Sequence, residues 1–154
     1  MNFGFPMATD VTRAALRASL RDRAEQFQIW LLEGQIKRVI ALTDRIPSAL
    51  ADLLPVIANP EANLNVRFGA SAVLERYAGK PPLQTLVPAL GMLAGHGDAR
   101  VRADACHLLG LSGSRDAIKY LEARQDDPDA EVREIAVDSL ESLEELQNKE
   151  DSPS

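Results

Sequence analysis

The sequence predicts an all-α fold, a short right-handed α-solenoid of stacked antiparallel helical hairpins. The main observation is the pattern Val-Arg-x-x-Ala-x-x-x-Leu, which occurs three times, at residues 66–74, 101–109 and 132–140. The copies begin 35 and 31 residues apart, a spacing typical of helical hairpins that bury their apolar faces only against neighbours. The shared Val, Ala and Leu lie at offsets 0, 4 and 8, which places them on one stripe of a helix.

Prolines and glycines mark the predicted helix ends. Asn59-Pro60 and Asp127-Pro128 put a side-chain acceptor directly before a proline, which suits the N-cap and first positions of a helix. Glycines that follow apolar stretches predict left-handed C-terminal caps at Gly79, Gly95 with Gly97, and Gly113. The predicted helix pairs are 47–58 with 61–78, 82–94 with 98–112, and 114–125 with 129–147.

A single domain is predicted over residues 10–147. Residues 10–26 and 27–46 have helical periodicity without the Val-Arg pattern, with Gly34 interrupting the second stretch. We expect these helices to cap the N-terminal end of the solenoid, with Trp30 in the core of that cap. The repeats are predicted at 47–78, 82–112 and 114–147, between a loose N-terminal arm at 1–9 and a disordered tail at 148–154.

The last predicted helix differs from the two equivalent helices. Ser139 interrupts its apolar stripe, and its opposite face is strongly acidic. This pattern is typical of the polar outer side of a terminal capping repeat, and an acidic docking site is the alternative. The acidic residues are Glu131, Glu134, Asp138, Glu141 and Glu145.

Charge and cysteine content exclude several classes of function. The net charge is −6, and residues 51–154 carry eighteen acidic against ten basic residues, which disfavours binding to the phosphates of nucleic acid. The single cysteine cannot form an intrachain disulfide. With no basic and apolar leader and no apolar run of about 20 residues, we expect a cytoplasmic chain that neither binds nor crosses a membrane.

Residues 47–147 resemble HEAT repeats of the type also found in phycobilisome lyases. The resemblance rests on Asp127-Pro128-x-x-x-Val132-Arg133, in which Asp and Arg lie six residues apart. Glu61 and Arg67 keep that spacing, whereas His96 takes the acidic position before Arg102, and Asp98 is a possible substitute. The resemblance implies a structural ladder across repeat boundaries, formed by Glu61, Arg67, Arg102, Asp127 and Arg133.

The chain is also similar, more loosely, to bacterial HEAT domains that accompany thioredoxin-like modules. The similarity lies in the stretches around Trp30, 65–70 and 102–108. The chain has no Cys-x-x-C motif, so it cannot itself carry out dithiol chemistry. The resemblance implies at most a partner or accessory subunit of a thioredoxin-like redox system.

No residues form a convincing catalytic or metal site. Cys106 and His107 are adjacent, so on a helix their side chains point about 100° apart and cannot form a nucleophile–base pair. Hydroxylases of HEAT-like fold hold iron with His-Glu pairs, but here His96 precedes Gly97 and His107 precedes Leu108. We therefore expect no metal, no cofactor and a buried, inert Cys106.

The resulting functional prediction is a non-enzymatic scaffold or adaptor that binds another protein on the concave face of the solenoid. A thioredoxin-like protein is one possible partner, and the alternative is a subunit of an enzyme similar to the bilin lyases. The side chains predicted to line the concave face avoid the apolar stripe. They are Phe68, Ala72, Arg76, Asp104, His107 and Asp138.

Overall fold

The computed structural model describes residues 22–151, and this part of the chain contains helices and no strand. Short 3-10 segments at Pro47–Leu53 and Arg115–Ala117 lead into two of the helices. The predicted loose arm at 1–9 and most of the helix predicted at 10–26 lie outside the described residues. The helices are α1 (22–32), α2 (Ile36–Arg45), α3 (Leu54–Ile57), α4 (Leu64–Glu75), α5 (Pro81–Gln84), α6 (Val87–Leu93), α7 (Ala99–Leu111), α8 (Ile118–Glu122) and α9 (Ala130–Asp151).

Three hairpins stack in chain order, each with a short first helical segment and a longer second helix. The second helices are α4, α7 and α9, and α7 packs against both of the others. All nine Val, Ala and Leu side chains of the repeated pattern are buried, and all of them except Val101 belong to one core cluster that runs from Phe27 in α1 to Leu143 in α9. The predicted all-α solenoid is confirmed.

The first helical segment of each hairpin is interrupted, contrary to the prediction of continuous helices at 47–58, 82–94 and 114–125. Pro55 is the second residue of α3, and Pro88 is the second residue of α6. A proline has no backbone N–H to donate to the preceding turn, so it is accommodated in the first turn of a new segment. Pro55 therefore separates the 3-10 segment from α3 in the first hairpin, and Pro88 separates α5 from α6 in the second.

Helix α4 begins at Leu64, later than the start predicted at Asn59-Pro60. Its N-cap is Asn63, whose Oδ1 accepts a hydrogen bond at 2.9 Å from the backbone N–H two residues later. Asn59 instead caps a turn upstream, where its Oδ1 accepts from the N–H of Glu61 at 2.9 Å. Asn59-Pro60 is a turn, and that predicted helix start is wrong.

The same displacement occurs before α9. Asp127 lies in the preceding turn, and its Oδ1 accepts from the N–H of Asp129 at 2.9 Å. Asp129 directly precedes the helix, and its own Oδ1 accepts from the N–H of Val132 at 3.1 Å, as an N-cap does. The Asp127 carboxylate therefore does not cap α9 and can pair with a residue of the neighbouring repeat.

Two of the predicted glycine caps have the expected left-handed backbone. Gly79 and Gly113 have φ of 71° and 70°, whereas Gly95 and Gly97 do not have positive φ. The N–H of Gly79 also donates to the carbonyl of Leu111 at 2.9 Å, which joins the ends of α4 and α7. The prediction is therefore wrong for Gly95 and Gly97, where α6 ends without a left-handed residue.

The helices at both ends of the described chain differ from the predicted boundaries. Helix α1 continues across the boundary predicted between residues 26 and 27 and ends before Gly34, which has φ of 75°. Trp30 packs against the core beside Phe27, with ring centroids 6.2 Å apart. At the other end α9 continues to Asp151, so residues 148–151 are helical where a disordered tail is predicted.

Ser139 lies in the contact between α7 and α9 rather than interrupting it. Its exposed fraction is 7%, and a Cβ placed on Gly110 would lie 2.6 Å from the Cβ of Ser139. The small side chains at both positions permit the close approach of the two helices.

None of the helices in residues 22–151 combines the length and the apolar composition that a membrane span requires.

Candidate partner-binding surface

The exposed side of α4, α7 and α9 carries side chains at the same position of each repeat. Ala72, His107 and Asp138 each lie six residues after the Val of the repeated pattern, and all three are exposed. We call this surface the second-helix face. Glu75 also lies on it, because its Oε1 is 3.0 Å from the Nε2 of His107, and this contact joins α4 to α7.

A cleft of about 150 Å³ lies on this face between α7 and α9. We call it the α7–α9 cleft. No lysine or arginine lines it, and the hydroxyl of Ser142 donates to the backbone carbonyl of Asp138 at 3.1 Å. The lining residues are His107, Gly110, Leu111, Asp138, Ser139 and Ser142.

Phe68 is the large apolar side chain among the predicted binding residues. It is 57% exposed, although it is flanked by the buried Arg67. The guanidinium carbon of Arg67 lies 5.6 Å from the centre of the Phe68 ring, a distance at which a cation is attracted to an aromatic face. The ring is thus held by a buried neighbour while most of its surface remains accessible.

The Asp104 side chain is directed towards α4, unlike that of His107, the other predicted binding residue on α7. Its Oδ2 lies 3.7 Å from the Nε of Arg67, and its side chain is only 30% exposed. Burial raises the pKa of the Asp104 carboxyl, and the Arg67 guanidinium offsets part of that rise. Asp104 Oδ2 and Arg67 Nη1 are both buried without a hydrogen-bond partner. We therefore correct the placement of Asp104 from a free contact to a half-buried ion pair.

Arg76 reaches back towards α2. Its Nη2 lies 3.5 Å from the Oδ2 of Asp44, and the hydroxyl of Tyr77 donates to the same carboxylate and contacts Thr43 Oγ1 at 2.9 Å. Burial, followed by the Asp44 hydrogen bond, raises the pKa of Tyr77. Arg76 is still half exposed, but its charge is paired within the N-terminal part of the protein.

Arg102 and Asp127 form the most complete contact of the predicted ladder. Arg102 donates from Nε and Nη2 to the two carboxylate oxygens of Asp127, both at 2.9 Å, and from Nη1 to the carbonyls of His96 and Gly97 at 3.0 and 3.1 Å. The hydrogen bond from Arg102 holds the pKa of Asp127 below its usual range. Arg124 adds an ion pair to Asp127 at 3.2 Å, a contact that the ladder motif does not include.

The other ladder residues are arranged differently. Arg133 donates to the carbonyls of Asp127 and Pro128 at 2.7 and 3.2 Å, which repeats the contact of Arg102 with its own loop. Arg67 pairs with Asp104 of the next repeat, whereas Glu61 is exposed and makes no ion pair with Arg67. The spacing shared by Glu61 and Arg67 therefore does not bring their charges together.

Cys106 and His107 point in different directions, as predicted from their adjacency. Cys106 is fully buried and His107 is about half exposed. Burial raises the pKa of the Cys106 thiol to about 11, so very little thiolate forms near neutrality. His96 accepts a hydrogen bond at Nδ1 from the N–H of Asp98 at 3.0 Å, and in residues 22–151 no group of three potential ligands is arranged to hold a metal.

Three residues of this surface were missed in the sequence: Glu75, Ser139 and Ser142. Glu75 lies nine residues after Val66, at a position that is Gly110 in the next repeat and Glu141 in the last. It would have been found by extending the exposed stripe by one turn beyond Ala72. Ser139 was noticed only as an interruption of the apolar stripe. Ser142 carries no distinct signal, because a serine in a helix is equally compatible with an exposed or a packed position.

A family model described as HEAT repeats matches residues 50–141, the part of the chain that forms the three stacked hairpins. No curated protein matches the chain, and no solved structure matches it. The match is to HEAT repeats in general, and it agrees with the alternation of broken first helices and longer second helices. The chain belongs to the HEAT-repeat family.

Proposed function

We propose that this chain is a non-enzymatic scaffold or adaptor that binds another protein through its second-helix face. HEAT repeats in general mediate protein–protein interaction. The observation that carries the proposal is the exposed row formed by Ala72, His107 and Asp138, one residue from each repeat. The buried stripe on the same helices fixes the spacing of the row, so that the contacts are presented in a rigid order.

Phe68 is the apolar anchor of the proposed surface. Large aromatic side chains contribute most to protein interfaces when a partner covers them completely, and Phe68 is 57% exposed in the free chain. His107 provides a polar contact near the middle, because it touches Glu75 on α4 and lines the α7–α9 cleft. Arg76 and Asp104 serve this surface less directly, since each is paired inside the protein.

On the basis of the sequence resemblance, a thioredoxin-like protein remains one candidate partner in this proposal. The proposal also places the chain in the cytoplasm. The contact would be non-covalent, because Cys106 is buried and its pKa is raised to about 11. A subunit similar to the bilin lyases is not proposed as a second function. The exposed Phe68 and the row of Ala72, His107 and Asp138 support protein binding, and no observation on this surface favours the lyase role.

Photo-crosslinking tests the proposal directly. A photoreactive amino acid replaces Ala72 on the second-helix face or, as the control, the exposed Glu122 on α8. We expect the same protein to be cross-linked repeatedly from position 72 and not from position 122. In the position-72 protein, Phe68→Ser should abolish the cross-link while the helical circular dichroism and melting temperature are retained.

The opposite results contradict the proposal. Cross-linking of the same proteins from positions 72 and 122 would show that α4 has no specific partner. An undiminished cross-link in the folded Phe68→Ser protein would remove Phe68 as the anchor.

A further inference from the structure

The charges around the second-helix face are not balanced. The nearby Arg76 and Arg102 are already paired with carboxylates of the same chain, Arg76 with Asp44 and Arg102 with Asp127. Asp138, in contrast, is exposed and makes no ion pair with any other residue in the described part of the chain. The α7–α9 cleft therefore has a free carboxylate at its rim and no lysine or arginine among its lining residues.

The α7–α9 cleft is also lined by two serine hydroxyl groups. Ser139 lines the cleft and is only 7% exposed, and its hydroxyl makes no hydrogen bond with another described residue. The Oγ of Ser142 donates to a backbone carbonyl, so its lone pairs also remain free to accept. The cleft thus presents three acceptors and no lysine or arginine.

An arginine matches this set of acceptors better than other side chains. The guanidinium is always charged and carries five N–H donors in a plane, so it can bond a carboxylate and neighbouring hydroxyl oxygens together. A lysine ammonium has three donors around a single point and is held less specifically. An acidic side chain would be repelled by Asp138 and would supply no donors.

We propose that the α7–α9 cleft binds an arginine side chain of the partner protein, with Asp138 as its ion-pair partner and Ser139 and Ser142 as hydrogen-bond acceptors. This inference rests on the proposed function, since it assigns a chemistry to one part of the second-helix face. Phe68 then provides apolar contact on α4, and the cleft provides charge selection between α7 and α9. The expected partner segment combines an apolar residue with an arginine.

Nitrogen-15 NMR with a small probe tests the cleft without requiring the partner. N-acetyl-arginine amide is titrated into the full chain, with N-acetyl-lysine amide and N-acetyl-norleucine amide as comparisons. We expect saturable shifts of the backbone signals of residues 107–111 and 138–142 with the arginine probe. The lysine probe should bind more weakly, and the uncharged norleucine probe should cause no specific shift.

Variants identify the groups that bind the probe. Asp138→Asn should weaken arginine binding about two- to fivefold, the effect of losing an exposed ion pair, and Ser139→Ala should weaken it to a smaller degree. Glu144→Gln is the matched control, because Glu144 is exposed on the same helix and does not line the cleft. It should leave the affinity unchanged.

Three results would overturn the inference: no saturable shift at the cleft, equal affinity for the lysine probe, or equal loss of affinity in Asp138→Asn and Glu144→Gln. None of them affects the crosslinking from position 72 or its dependence on Phe68. Failure of the arginine site is therefore distinguishable from failure of the proposed protein-binding function.

Discussion

Arg102 of α7 holds Asp127, a residue of the next repeat, with two hydrogen bonds of 2.9 Å. The Asp127 side chain is completely buried and that of Arg102 is 12% exposed. The Nη1 group of Arg102 donates to loop carbonyls of its own repeat, so one side chain connects two loops and two repeats. This geometry meets the condition under which a buried ion pair is tolerated, because the charges are closely paired and hydrogen-bonded.

Replacing Asp127 should therefore destabilise the whole stack. We expect Asp127→Ala to lower the free energy of unfolding by about 3–5 kcal/mol, since it leaves the buried Arg102 without its counter-charge. The adjacent Asp126 is exposed, and Asp126→Ala should change stability by no more than about 0.5 kcal/mol. Urea unfolding followed by circular dichroism at pH 7 measures both values. Equal effects of the two substitutions would refute the role of the pair.

The same pair predicts a pH dependence with a definite sign. The pKa of Asp127 is lowered in the folded protein by the hydrogen bond from Arg102, so the folded state binds fewer protons and its stability rises with pH. The contribution should be complete above about pH 5, well above the unfolded Asp pKa of about 3.9. It should be lost as pH falls through the lower pKa of the folded state.

The measurement is the difference in unfolding free energy between wild type and Asp127→Ala, taken in urea from pH 3 to 7. Subtraction removes other carboxyls, including Asp104, whose pKa is raised by burial and whose effect has the opposite sign. The difference should be constant from pH 5 to 7 and smaller at pH 3. A difference that increases on acidification would contradict the lowered pKa.

The contact between α7 and α9 should be sensitive to a single methyl group at Gly110. A Cβ there would lie 2.6 Å from the Cβ and 3.1 Å from the Cα of Ser139, so the helices must separate. Overpacking of this kind costs about 1–3 kcal/mol, of which higher helix propensity recovers up to about 1 kcal/mol. Gly110→Ala should therefore lower the free energy of unfolding by about 1–2 kcal/mol.

Gly97→Ala is the matched control, because no atom lies within 4 Å of its added Cβ and its φ is not positive. Its stability should stay within about 0.5 kcal/mol of wild type. The double variant Gly110→Ala with Ser139→Gly should recover part of the loss. Unfolding of Gly110→Ala at the same urea concentration as Gly97→Ala would show that the contact between α7 and α9 accepts the added methyl group.

Cys106 should react slowly in the native protein. With a pKa of about 11, about one thiol in a thousand is ionised at pH 8, and the side chain is fully buried. We expect slow labelling by iodoacetamide in buffer and rapid labelling in urea, measured by mass spectrometry. Met92→Cys on a Cys106→Ala background is the exposed control, since Met92 is 80% exposed. Native labelling of Cys106 as fast as this control would identify an accessible thiol.

Removal of the last repeat should expose the core rather than delete an independent domain. Helix α9 covers the apolar side of α7, and Asp127 satisfies Arg102 from the same repeat. We expect a chain that ends at residue 125 to aggregate or to melt at a clearly lower temperature. Light scattering and thermal unfolding measure these outcomes. A monomeric truncated chain with the melting temperature of the full chain would contradict the one-dimensional stacking.

The repeated pattern was sufficient to predict the core, but helix boundaries required more. All copies of the patterned Val, Ala and Leu are buried, because a residue at offset 0, 4 or 8 occupies the same side of the helix in every hairpin. The starts predicted at Asn59 and Asp127 were wrong, since an Asn or Asp before proline caps a turn as readily as a helix. Only the backbone distinguishes the two, and it selects Asn63 and Asp129 as the N-caps.

The sequence predicted which residues of the candidate site are exposed, but not which charged side chains pair with one another. The exposed row of Ala72, His107 and Asp138 follows from helical periodicity alone. The pairing of Asp104 with Arg67 does not follow from it, because a half-buried charge is directed by the nearest opposite charge on another helix. The Glu75 contact of His107 likewise depends on how closely α4 and α7 approach.

The sequence by itself determined the all-α solenoid, the number of patterned repeats and the buried stripe, because these depend on the period of one helix. Tertiary structure decided which charges meet and how closely α7 and α9 approach. Those properties depend on distances between residues about 25 to 35 positions apart in the chain, such as Arg102 and Asp127 or Gly110 and Ser139. Such distances are set only when neighbouring repeats pack, since each repeat buries its apolar side against the next.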